Sequence, residues 1–422
     1  MREILFYLIS IILIYPALSQ AQGISVDEIA IRGGDNLDHD YLFTQITTGH
    51  GDVFDVPAIE ADIQRLRQMS GVLNATYAID STDAKNYKVF YDIEQRGTLK
   101  PILGIGGIKD NFWFAAGISE YNLNGRNQVL EAYYLNNDNR HNAKVYFQNE
   151  KIRGGNWGFA IDAVRLASLE PLYFVESVVD YDYTNHALGG SVIHWLGRNT
   201  VLQGGVTFFI EDYIKRGTNL SELPGPDQLT QNKALFKVLL KQNKIKYDYF
   251  YRGGHSSEFI LQNVQTFGEK TQFVSLSYEL KKFFRPSYRG NIALRFKGAI
   301  ATNNDSPFAP FVLDSNFNIR GVGNRVDRGT AQLVLNAEYR HAFHQRGAWA
   351  VQGVAFADGG SWRSPGAPLS QLWKLEEVIF YYGAGVRIIY NKHIETTLRV
   401  DYGFDAINPG RGGFVIGIGQ FF

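Results

Sequence analysis

Three residues form the clearest charge constellation in this sequence: Arg320 in Asn318-Ile319-Arg320-Gly321-Val322-Gly323, Glu338 in Asn336-Ala337-Glu338-Tyr339, and Asp358 in Phe356-Ala357-Asp358-Gly359. The two acids sit in separate runs that alternate polar and apolar residues. Glu338 falls on the polar face of its run, and Asp358 shares parity with Gln352, away from Trp349 and Val351. Carboxylates brought together in a confined space need a cation, because unpaired charges there are costly. Arginine suits this need, since its planar fork makes charge-assisted bonds to more than one carboxylate. Gly321 and Gly323 let the preceding loop fold tightly back. The chemistry predicted is charge pairing that pins a loop.

Other reactive patterns are missing. No Gly-x-Ser-x-Gly elbow occurs. Asp358-Gly359-Gly360 matches the Asp-Gly element of patatin-like lipases, but no nucleophile motif or α/β domain accompanies it. His341 and His344 are three apart, which on a strand puts their imidazoles on opposite faces, so no zinc site is expected. Gly321-Val322-Gly323 is too short for a nucleotide loop. The expectation is a protein that is not an enzyme and holds no metal and no cofactor.

The elements that must position the three residues are strands. Across residues 330–340, Ala331, Leu333, Leu335, Ala337 and Tyr339 share one face, while Gln332, Asn336, Glu338 and Arg340 share the other. A period of two over such a length is a strand. Sixteen segments of this kind are expected: 101–108, 112–119, 128–135, 142–149, 156–164, 186–196, 200–210, 234–243, 258–265, 272–284, 290–300, 330–341, 349–359, 378–388, 394–404 and 413–422. Long connections are expected over 167–184, 211–233 and 301–329, after the fifth, seventh and eleventh strands. Residues 244–254 either extend the eighth strand or form a turn. Strands that are apolar outside and polar inside, even in number, with long loops at one end, describe a closed antiparallel transmembrane β-barrel. Arg320 then lies in the loop after strand 11, and the acids lie on strands 12 and 13, facing the lumen.

Composition agrees. There are 42 basic and 42 acidic residues, so no nucleic-acid partner is suggested. Cysteine is absent, which removes disulfides, thiolate metal sites and a lipidated cysteine. The 43 glycines suit bends and close contacts, and the 24 tyrosines and 29 phenylalanines suit aromatic girdles. An apolar run over residues 4–15, followed by Ser19 and Ala21, reads as a secretory signal peptide, residues 1–21. It is shorter than the ~20 apolar residues of a helical span.

Residues 24–96 are a separate small α+β unit. A strand over 24–32 ends at Gly33-Gly34, and Leu42, Phe43 and Ile46 suggest a short helix. A second helix starts near Asp55 and Pro57, aligns Ile59, Ile63 and Leu66, and stops at Ser70-Gly71. Strands over 73–79 and 87–93 follow. This β-α-α-β-β order resembles a POTRA domain, leaving 97–422 for the barrel.

The whole pattern resembles the BamA, TamA and FhaC superfamily of outer-membrane assembly and secretion barrels, as a single-POTRA member. In that family an arginine at the tip of the loop after strand 11 enters the lumen and meets acids on strands 12 and 13. The resemblance assigns Ile319, Arg320 and Gly321 to the tip, Glu338 and Asp358 to the acids. It departs at Val322, where an aromatic is usual. Phe414, Ile416, Ile418 and Phe422 share parity on the last strand and resemble the family's C-terminal assembly signal. Gly104, Gly106 and Gly107 on the first strand and Gly413, Gly417 and Gly419 on the last make the closing seam glycine-rich. They either weaken the seam or relieve crowding where the barrel bends. The function implied is assembly or insertion of outer-membrane proteins, or polypeptide translocation, with the POTRA domain in the periplasm. Its partners are then outer-membrane lipids, extended client chains and accessory subunits. A partner-secretion pore like FhaC is the alternative in the same class; a passive porin or structural barrel, which has no use for a POTRA domain, is the alternative outside it.

Overall fold

The computed structural model describes residues 24–422 except 82–85, 109–110, 138–139, 175–176, 218–219, 269–271, 314–317, 324–327, 391–395 and 409; the expected leader lies outside the described residues. In the N-terminal module, Ser25–Gly33, Val72–Ser81 and Asn86–Gln95 form a three-stranded sheet, with Asn86–Gln95 central, parallel to the first strand and antiparallel to the second. A register shift between Val26 and Glu28 explains the irregular alternation of the first strand. Helix α1 (His39–Gln45) starts at Asp38, whose carboxylate accepts from the Tyr41 N–H at 2.8 Å. Helix α2 (Val56–Gln68) has Pro57 in its first turn, while Asp55 makes no side-chain cap bond. Leu42, Ile59, Ile63 and Leu66 meet Val26, Val89 and Tyr91 in one core. Buried Asp62 is satisfied by Thr47, Thr48, Tyr91 and Arg65.

The rest is one antiparallel sheet of sixteen strands in chain order, with a short two-stranded ladder, Phe311–Val312 against Arg328–Gly329, in the connection after its eleventh strand. The sixteen are Leu99–Ile108, Asn111–Leu123, Gln128–Asn137, Arg140–Asn149, Trp157–Tyr173, Val178–Trp195, Thr200–Lys215, Gln228–Asp248, Tyr251–Thr266, Gln272–Phe284, Gly290–Ala301, Ala331–Arg346, Trp349–Arg363, Ile379–Tyr390, Thr396–Asp405 and Gly412–Ile418. The sheet curls. The segment after the sixteenth strand places Phe422 against Ile245 of the eighth, Phe283 of the tenth and Ala293 of the eleventh. In the connection after the eleventh strand, the Pro307 carbonyl accepts from Tyr173 N–H of the fifth at 3.0 Å. Among the described residues no hydrogen-bonded ladder joins the first strand to the sixteenth. The outward face is apolar: Leu335 is 62% exposed, and Leu188 and Phe208 are comparably bare. The concave face buries Gln332, Asn336, Glu338 and Arg340 on the twelfth strand.

Two expected long connections are shorter than their residues suggested. The fifth and sixth strands pair up to Tyr173 and Val178, and the seventh and eighth up to Ile214 and Gln228. The apolar alternation fades there, because the inward residues are Tyr183, Glu211, Tyr213 and Lys233, which bond to one another, but the backbone ladder continues. Residues 244–248 extend the eighth strand and the turn is at 249–250. Residues 302–330 and 364–378 form the longest connections, at the end of the sheet away from the module. The module sits on the opposite end: Asp38 pairs with Arg126 at 2.6 Å, Gln45 accepts from Lys151 at 2.7 Å, and Gln68 donates to the Ile245 carbonyl at 3.2 Å.

Candidate functional site

Residues 318–323 descend into the concave side of the sheet, where Ile319 and Arg320 are fully buried. The backbone N–H of Arg320 donates to Asp358 Oδ2 at 3.1 Å. Its guanidinium then grips the same carboxylate with Nε at 2.8 Å and Nη2 at 2.9 Å, and reaches Glu338 Oε2 with Nη1 at 2.6 Å. The ring of Phe356 lies 3.8 Å from its Cζ and the ring of Phe421 4.3 Å. Glu338 and Asp358 occupy neighbouring strands, where Asn336 is the direct partner of Asp358. Asn336 Nδ2 donates to Asp358 Oδ1 at 2.9 Å and to the Asn318 carbonyl at 2.8 Å, so one amide ties the loop to the strand.

The charges extend further than the three residues singled out in the sequence. Glu338 also pairs with Arg340 on its own strand and lies 3.9 Å from Arg387 of the fourteenth. Arg387 makes a two-point contact with Asp401 of the fifteenth strand, at 2.7 and 3.1 Å. Arg320, Arg340 and Arg387 thus pair with Glu338, Asp358 and Asp401 in a water-poor interior, with buried Arg399 a fourth guanidinium beside them, and the pairing limits the desolvation cost that either sign alone would carry. Arg387 and Asp401 share the inward parity of their strands. The signal was present in the alternation, but a diagonal pair needs the register to be recognised.

The tip passes close to the fifteenth strand. Gly321 has φ +92°, and a Cβ there would lie 2.8 Å from Gly403 Cα; a Cβ on Gly403 would lie 2.4 Å from the Arg320 carbonyl oxygen. Both positions need glycine for contact, and Gly321 also for its backbone. Gly413, at the start of the last strand, similarly faces the Gly321 carbonyl. Val322 packs beside Ile319, Leu313 and Tyr381.

The last strand departs from its expected extent and facing. Phe414, Ile416 and Ile418 point outward and are 72%, 67% and 72% exposed, but Phe422 is buried on the inside. The strand ends at Ile418, and Gly419 at φ +91° turns the chain inward, so parity beyond it no longer applies. The Phe422 oxygen accepts from Arg340 Nη2 at 2.9 Å, and the Phe421 ring stacks near Arg399 at 4.9 Å as well as on Arg320. Gly104, Gly106 and Gly107 lie opposite Ala115, Trp113 and Phe112 on the second strand, at the free margin of the sheet.

No protein-family model and no curated protein matches the sequence. Solved structures do match in shape. CdiB from Escherichia coli superposes with a TM-score of 0.63 at 13% identity, covering 94% of this chain and 76% of that one. CdiB from Acinetobacter baumannii gives 0.58 at 13% identity, over 94% and 73%. BamA from Haemophilus ducreyi lacking POTRA domains 1-3 gives 0.54 at 14% identity, over 94% and 83%. The chain has the fold of the BamA, TamA and FhaC type of barrel.

Proposed function

We propose that this protein is an outer-membrane barrel that assembles or translocates polypeptides, receiving extended clients on its N-terminal module, which acts as a single periplasmic POTRA domain. The observation that carries this reading is the module docked on the short-turn end of a curled sixteen-stranded sheet, with a sheet edge of its own on which, among the described residues, no further strand is laid. Val72–Ser81 is an outer strand of the module. An extended client can add to such an edge through backbone hydrogen bonds, which gives affinity tolerant of sequence. The other module edge is partly occupied, since Val26 exchanges backbone bonds with Asp52 and Gly51.

In this reading Arg320, with Glu338 and Asp358, is a lock that braces the curled sheet from inside while its margin admits or templates strands. Outward apolar strands face outer-membrane lipid, and no enzymatic step is required. Deleting residues 24–96 while keeping the leader tests the proposal. The barrel should still form, because its backbone groups are satisfied within it, and should still shift in mobility on heating, but insertion or export of client proteins should be lost. Full client insertion or export without the module would overturn its role as the receiver of clients.

A further inference from the structure

A cleft between α2 and the turns beneath it is basic. It has a volume of 940 Å³, and its lining includes Arg65, Arg67, Arg198, Lys244 and Lys246 against a single carboxylate, Glu60. Arg65 and Arg67 are engaged by the module: Arg65 pairs with Asp62 and donates to the Gln45 carbonyl at 2.7 Å, and Arg67 donates to the Ala75 carbonyl at 3.0 Å. Arg198, Lys244 and Lys246 are exposed. Among the described residues none of these three pairs with a carboxylate. Burial, and after it the nearby Arg198 guanidinium, push Arg65 down to about 10.

The position of the cleft along the strands supplies a second constraint. On the eighth strand Phe236, Val238 and Leu240 point outward and are bare, and Lys244 and Lys246 continue on the same outward parity. At strand rise, Lys244 lies about 13 Å beyond Leu240. Arg198 follows exposed Leu196 in the adjacent turn, and Thr200 pairs with Gln242, which brings that turn level with Lys244. Exposed Trp157, Tyr249 and Trp349 mark the same end of the sheet. Tryptophan and tyrosine gather at the headgroup level of a bilayer. The cations therefore stand where an apolar band ends and phosphate begins.

We propose that this cleft binds the phosphate of a phospholipid headgroup in the leaflet facing the module, anchoring α2 to the bilayer surface. The proposal rests on the outer-membrane reading. An acidic peptide or free phosphate could meet the charges, but neither would use the apolar strand faces that lead into the cleft.

Native mass spectrometry of the full chain in detergent, titrated with phosphatidylglycerol, tests it. Replacing Arg198, Lys244 and Lys246 with Gln should weaken lipid retention by about fivefold for each cation removed, following ~1 kcal/mol per basic residue near an anionic surface. Lys374→Glu, in the far connection, should leave retention unchanged, as should titration with diacylglycerol, which lacks the phosphate, in place of phosphatidylglycerol when wild type and the triple variant are compared. Equal phosphatidylglycerol retention by wild type and triple variant overturns the proposal. So does tighter binding of inorganic phosphate or of a polyglutamate peptide than of phosphatidylglycerol. Reconstitution of the wild type into phosphatidylethanolamine–phosphatidylglycerol vesicles is scored separately by resistance to carbonate extraction. Failure there removes the outer-membrane reading, whereas charge-dependent retention in detergent bears on the cleft alone.

Discussion

Phe421 and Arg320 stack, with the ring centroid 4.3 Å from the guanidinium carbon. The loop after the eleventh strand and the segment after the sixteenth therefore share one cation, although about 100 residues separate them in sequence. The tip carries Val322 where the resembled family has an aromatic, and here rings from Phe356 and Phe421 cover Arg320 instead. Phe421→Ala is expected to free the segment 419–422 and to loosen the loop moderately, a loss of roughly 0.5–2 kcal/mol. Limited proteolysis of intact cells reads this as faster cleavage within 302–330; unchanged cleavage would mean that the stacking is incidental.

Arg320→Ala should be far more damaging. It leaves Asp358 and Glu338 buried with fewer cations, and breaking a buried network from one side costs about 3–5 kcal/mol. Arg320→Lys should not restore the loop, because an ammonium cannot reproduce the three bonds made to Asp358 and Glu338 by Nε, Nη1 and Nη2. Urea midpoints, together with loop proteolysis, check both variants. A lysine variant with wild-type protection would show that charge alone, and not the fork, holds the loop.

The glycines at the tip should rank by contact. Gly403→Ala places a methyl 2.4 Å from the Arg320 carbonyl oxygen, and Gly321→Ala places one 2.8 Å from Gly403 while also straining a positive φ. Gly323 has φ +86°, but a methyl there would meet nothing within 4 Å. Gly403→Ala and Gly321→Ala should displace the loop, and Gly323→Ala should cost only about 1 kcal/mol of backbone strain. Loop protection ranked in any other order would contradict the close approach.

Much of this architecture lies in alternation. The run containing Leu335 and Glu338 states which side faces out, and sixteen such runs set the strand number. The same parity places Glu338 and Asp358 on one side of the sheet. It carries no information on the diagonal contact of Arg387 with Asp401, which depends on register, nor on Phe421 and Phe422, since Gly419 resets the facing of everything after it. Strand extent was also hidden where inward side chains become polar: Tyr183, Glu211 and Lys233 satisfy one another, so the ladder outlives the apolar pattern.

Asp38 couples the module to the sheet and should make that contact acid-sensitive. The Tyr41 N–H, then Arg126, hold its carboxyl below the ordinary value of 3.8. A depressed carboxyl contributes stability that is complete above its unfolded pKa and is lost as pH falls through the lower folded value. Asp38→Asn should mimic acid at neutral pH, raising hydrogen exchange in 38–45 and around Arg126 while the sheet stays protected. Exchange that is unaltered in both segments would place the docking elsewhere, for instance on Lys151 and Gln45.

The margin between the first and sixteenth strands is the place where function should be decided. Leu99–Ile108 and Gly412–Ile418 are the two ends of the sheet, with no ladder between them among the described residues. A strand edge that is not paired presents N–H and C=O groups able to template another strand. Cysteine pairs that crosslink these two strands should abolish client assembly while the barrel stays folded, and reduction should restore it. The chain contains no cysteine, so the introduced pair has no competitor. If crosslinked protein works as well as reduced protein, clients do not pass through the margin. The interior is then the route, and a secretion pore becomes the better description of this fold.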